Sequence, residues 1–163
     1  MSTGSKLTIP CIPSLTSERT AAQQEGARLM QVVYQRCAGL DVHKQTVVVC
    51  VLTSGVKGTA TQEVRTFGTM TRDLEALSAW LVAQEVEQVA LESTGVFWFP
   101  VFNLLEEAGL PVTLVNPRHT KQVPGRKTDV GDAAWLADLL RHGLVRASFI
   151  PPAEIRAVRE LTR

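Results

Sequence analysis

Between Val32 and Leu52 two apolar runs, VVYQRCAGLDV and TVVVCVL, flank the polar segment His43-Lys44-Gln45-Thr46. Apolar runs of strand length around a short polar tip specify a β-hairpin. Side chains alternate along a strand, so Ala38, Leu40 and Val42 share one face while Gly39, Asp41 and His43 share the other. The second run is apolar throughout, which requires cover on both faces of the sheet. An aspartate is depleted in strands, and this one has apolar residues on both sides. Any fold for this chain must therefore be layered on two sides and must give Asp41 a use.

The rest of the chain completes the pattern. A third strand follows at Ala60 to Phe67, making an antiparallel meander. Thr71 is placed to cap a helix whose buried stripe is Leu74, Leu77 and Leu81. A fourth strand from Glu87 to Leu91 turns at Glu92-Ser93-Thr94-Gly95 into a helix carrying Phe97, Val101, Leu104, Leu105 and Ala108, with Gly109 as its stop. Pro111 to Val115 is the fifth strand. After a basic loop comes a helix from Asp129 to His142, with Val130, Ala133, Ala137 and Leu140 toward the core. Three strands followed by helix, strand, helix, strand and helix is not the strict alternation of a doubly wound fold. It is the order of an α/β, ribonuclease H-like domain with a mixed five-stranded sheet and flanking helices.

Four carboxylates fall where such a sheet gathers ligands. Glu92 closes the fourth strand at the edge where open α/β sheets bind. Asp41 reaches the same edge if strands one and four are neighbours. Asp129 and Asp132 are three apart and share one face of their helix. Clustered oxygen ligands suit Mg²⁺ or Mn²⁺, and two cations there would stabilise the attacking and leaving oxygens of a phosphodiester. Taken singly, the acids also have ordinary uses: Asp129 and Asp132 as helix cap and dipole partners, Glu92 as a capping or solvated residue.

Net charge is +1, which excludes neither a polyanionic partner nor its absence. The distribution is more informative. From Asn116 onward bases outnumber acids, and Arg118, His119, Lys121, Arg126 and Lys127 lie just before the acidic pair, where they can hold a nucleic-acid backbone. Lys44, at the hairpin tip, is a further candidate phosphate contact. Phe97, Trp98, Phe99 and Trp135 could stack on bases but have helical core spacing, Trp98 being the best exception.

Cys11, Cys37 and Cys50 show neither a disulfide framework nor zinc-ligand spacing, and no apolar run is long enough to span a membrane. A cytoplasmic protein is expected. The 163 residues, 45% hydrophobic, suffice for one core. Residues 1–31 read as a flexible extension with a short helix near Ser17 to Met30, residues 32–150 as the domain, and residues 151–163 as the start of a further helical segment.

The segments GLDVHK, LESTGVFW, LVNPRHTKQVPGRKTDVGDAAWLADLLRHGLV and FIPPAEIRAVRELTR, in this order, resemble the N-terminal domain of DEDD-type insertion-sequence transposases, the IS-one-ten group that includes the Piv/MooV DNA invertases. The resemblance implies a RuvC-like fold, catalytic and metal-binding roles for Asp41, Glu92, Asp129 and Asp132, and DNA recombination directed by a structured guide RNA. It also implies a C-terminal domain with a nucleophilic serine, for which no serine here is a match. The expectation is a truncated chain that self-associates through Ile155, Val158 and Leu161. Two further readings are a junction-resolving nuclease with similar acids and a noncatalytic nucleic-acid-binding remnant. An actin-like sugar kinase, whose fold also starts with an aspartate-bearing strand and hairpin, lacks support because the sequence shows no second phosphate loop or adenosine motif.

Overall fold

The computed structural model describes residues 31–55, 59–93, 95–120 and 131–162, with Glu160 described in its backbone alone. Of the extension expected over residues 1–31, residues 1–30, with the short helix, lie outside the described residues. Strands β1 (Arg36–Val42), β2 (Thr46–Ser54) and β3 (Ala60–Gly68) precede helix α1 (Thr71–Ala83). Strand β4 (Gln88–Glu92), helix α2 (Trp98–Glu107), strand β5 (Val112–Val115), the single-turn helix α3 (Pro117–Thr120), helix α4 (Asp132–Arg141) and helix α5 (Ala153–Leu161) follow.

The sheet order is β3-β2-β1-β4-β5. The first three strands form the antiparallel meander, and β4 adds to β1 in parallel, with β5 parallel to β4. This is the mixed five-stranded sheet of a ribonuclease H-like, RuvC-like domain. Both faces are covered, as the unbroken apolar run of β2 requires. Ala38, Leu40, Val42, Val47, Val49 and Val51 pack with Leu74, Leu77 and Leu81 of α1 and Val101, Phe102 and Leu105 of α2. On the other face Cys37, Cys50, Leu52, Ala90 and Val115 pack with Ala133, Leu136, Ala137 and Leu140 of α4.

Gly39 sets how closely α4 approaches. A Cβ built there would lie 2.2 Å from the Ala133 carbonyl oxygen and 2.5 Å from the Ala137 nitrogen, so only glycine fits. One turn along, the Cys37 thiol donates to the Ala137 carbonyl at 3.4 Å. Burial raises the Cys37 thiol from its ordinary 9.0 to about 12 and that of Cys50 to about 11. Both thiols are protonated packing groups at neutral pH.

Several local expectations are corrected. Met70, not Thr71, is the N-cap of α1, and no side-chain cap bond forms there; the Met70 carbonyl accepts from Asp73 and Leu74 instead. Phe97 precedes α2 and is exposed, Ala108 lies beyond it and is exposed, and Phe102 takes the core position. Helix α4 begins at Asp132 in the described residues. Two of the bases beyond Asn116 are not available to a partner: Arg141 is buried with Nε on the Ser54 hydroxyl at 3.2 Å, and Arg156 is buried against α2.

Candidate nucleic-acid and metal site

The site grows from strand register. Leu40 of β1 pairs with Leu91 of β4 in parallel, so the next residue on each strand, Asp41 and Glu92, stands level with the other. Gly39 and Ala90, two residues earlier and also paired, face α4. By the alternation of strand side chains, Asp41 and Glu92 project on that same face at the C-terminal edge of the two strands. The buried residues immediately before them fix this placement, because a one-residue slip would turn Leu40 and Leu91 out of the core.

Helix α4 starts toward the same end of β1. Ala133 lies over Gly39 and Ala137 over Gly39 and Cys37, so the helix runs back along β1 with its N-terminus toward the end carrying Asp41. Asp132 is the first residue of that helix and is exposed. It also complements the helix dipole. Asp129 lies outside the described residues, as do Lys121, Arg126 and Lys127. Among the described residues no three Asp, Glu, His or Cys side chains form a group that could hold a metal ion. What the fold supplies is two level carboxylates and the helix start that carries a third.

His43 is the residue that sequence reasoning underrated. Its Nε2 lies 3.2 Å from Asp41 Oδ2, with the Asp41 side chain 17% exposed and that of His43 57% exposed. The signal was present in the spacing, since residues two apart on a strand share a face. The hairpin tip is tied by His43 N–H to the Thr46 carbonyl at 2.9 Å. Lys44 is exposed there and its carbonyl accepts from the Thr69 hydroxyl at 3.1 Å.

A basic turn borders the acids. Glu92 is in register with Val115 of β5, and the Ser93 N–H donates to the Val115 carbonyl at 3.0 Å. Helix α3 starts two residues later and exposes Arg118 and His119. Asn116 anchors them: its Oδ1 accepts from the Arg118 N–H at 2.9 Å and its carbonyl from the His119 N–H at 3.0 Å. The Trp135 indole donates to the Thr120 carbonyl at 3.4 Å, fastening α4 to this turn. Trp135 is thus a strut. Trp98 is half-buried and meets the edges of Phe99 and Phe102.

The family model for transposases of the DEDD type, IS110 group, matches residues 38–163. No curated protein matches the chain. Among solved structures the chain is similar to Thermus thermophilus RuvC, with 16% identity, 69% of this chain and 99% of that chain covered, and a TM-score of 0.48. It is similar to T. thermophilus RuvC in complex with Holliday junction substrate, with 16% identity, coverages of 71% and 100%, and a TM-score of 0.47. A fowlpox virus resolvase in complex with Holliday junction DNA has 11% identity, coverages of 57% and 65%, and a TM-score of 0.39. With its matching model spanning most of the chain, this protein belongs to the DEDD family of insertion-sequence transposases, enzymes that cut and rejoin DNA.

Proposed function

We propose that Asp41, Glu92, Asp129 and Asp132 together hold Mg²⁺ or Mn²⁺ and that this domain positions a DNA phosphodiester for the strand exchange of transposition. The observation that carries the reading is the register Leu40–Leu91, which sets Asp41 level with Glu92 on the face where α4 begins. The donor set fits the ion, being all oxygen. A cation bound there would offset the repulsion between like-charged carboxylates. When bound, such an ion polarises a phosphoryl group and stabilises the oxygens that attack and leave.

The chain's own side chains do the rest. His43 holds Oδ2 of Asp41 and thereby fixes which way that carboxylate faces. Arg118 and His119, with Lys44, Lys121, Arg126 and Lys127, supply charge for a nucleic-acid backbone, both the DNA and a structured guide RNA. Two copies acting together is the arrangement that an exchange between two DNA partners favours.

Thermal unfolding tests the metal reading. Mg²⁺ or Mn²⁺ bound to the native state stabilises it by mass action, about 2.7 kcal/mol at a hundredfold excess over Kd, which raises Tm by several degrees. Asp41→Asn should abolish most of that rise. An equal rise in the parent and in Asp41→Asn contradicts the assignment.

A further inference from the structure

On the sheet face opposite α4, the N-terminal end of α2 and the segment 149–162 enclose a cavity of about 800 Å³. Its lining includes Trp98, Phe99, Leu114, Phe149, Arg156 and Arg159. We infer that this cavity receives the unpaired bases of a single-stranded nucleic acid.

The composition selects the ligand. Phe149 is 87% exposed, an aromatic ring presented to solvent at the cavity rather than packed. Trp98 is braced by edge contacts, with Phe99 at 5.5 Å and 77° and Phe102 at 5.9 Å and 80°. Fixed and presented aromatic rings are the platforms on which bases stack without regard to sequence. Arg159, exposed on α5, adds a planar cation suited both to stacking and to a phosphate. No acidic side chain is among the lining residues. A purely apolar helix would leave Arg159 uncompensated, whereas a polyanion complements it. Bases in a duplex are already paired and stacked, so the ligand is single-stranded.

The cavity is also a built one. Arg156 is buried, donates to the Pro151 carbonyl at 3.0 Å, pairs with Glu106 and sits 5.0 Å over the Phe102 ring. That one side chain joins α5, the 149–151 segment and α2, so the walls are set before any ligand arrives. Gly95, at φ +62°, forms part of the lining and follows Glu92 by three residues, a reach of at most about 10 Å. The cavity therefore begins within a few residues of the acidic edge, on the other face of the sheet.

The ligand class rests on the transposase assignment, but the cavity does not depend on the metal site. Binding is therefore measured by fluorescence anisotropy in EDTA, with labelled oligo(dT), oligo(rU) and a duplex of equal length. Phe149→Ala should weaken single-strand binding about tenfold and leave duplex binding unchanged, while Phe149→Tyr retains parental affinity. Because Phe149 is exposed, neither change should disturb folding, which melting curves check. Loss on oligo(dT), on oligo(rU) or on both supports the site and identifies the sugar it accepts. Parental affinity in Phe149→Ala, equal loss on the duplex, or no single-strand binding by the parent overturns it. So does a fall in particle mass on light scattering with binding intact, which would assign the cavity to a second copy of the chain.

Discussion

The absent side chain of Gly39 is what lets the Ala133 carbonyl settle onto β1, because a Cβ would stand 2.2 Å from that oxygen. Both neighbours are backbone atoms, so a larger residue moves the whole of α4 and with it Asp132. Gly39→Ala should cost about 1–3 kcal/mol, the usual range for overpacking a core. It should also shrink the Tm rise given by Mg²⁺, since the third acid is displaced from Asp41. Urea unfolding with and without Mg²⁺ reads both effects. A variant as stable and as metal-responsive as the parent would mean that α4 can shift without consequence.

Alkaline pH should destabilise the domain through its two buried thiols. In the folded chain Cys37 and Cys50 keep their protons to about 12 and about 11, above the ordinary 9.0. As pH rises past 9 the unfolded chain releases protons first, so stability present below pH 9 is lost above it, by up to about 1.4 kcal/mol per pH unit for each thiol. The difference in denaturant stability between pH 8 and pH 10.5 should be smaller in Cys37→Ala and Cys50→Ala than in the parent. Identical pH slopes would assign the alkaline loss to other groups.

Nucleic-acid binding should weaken steeply with salt. Each phosphate contact contributes about 0.9 to the slope of log affinity against log salt on duplex DNA. Arg126→Ala with Lys127→Ala should therefore flatten that slope by up to about 2, and Arg118→Ala by a further unit. Titrations from low to moderate salt measure it. An unchanged slope would make the basic loop a solvated surface.

The parts of the fold that sequence reveals are those set by near neighbours and period. The polar tip at His43 to Thr46, the alternation around Asp41 and the helical spacing of Leu74, Leu77 and Leu81 each report their own element. The level placement of Asp41 and Glu92 needed only the added fact that β1 and β4 are adjacent. Distant partners are a different matter. Arg141 finds Ser54 from 87 residues away and Arg156 finds Glu106 from 50 away, and without those partners both count only among the bases that outnumber the acids from Asn116 onward. Phe149 shows the converse: its chemistry predicts burial, yet the irregular segment that carries it leaves the ring exposed. At Met70 and Thr71 the boundary lies one residue earlier than expected, because the Met70 carbonyl already accepts the first helical bonds from Asp73 and Leu74 and so makes Thr71 the first residue of α1.

The most direct measurement is a crystal structure of this chain soaked with Mn²⁺, read by anomalous scattering. The account predicts an Mn²⁺ peak at the C-terminal edge of β1 and β4, with carboxylate oxygens of Asp41 and Glu92 and of at least one of Asp129 and Asp132 at about 2.1–2.2 Å. The peak should vanish in Asp41→Asn. A peak held elsewhere, or an empty edge with these carboxylates directed apart at saturating Mn²⁺, would contradict it.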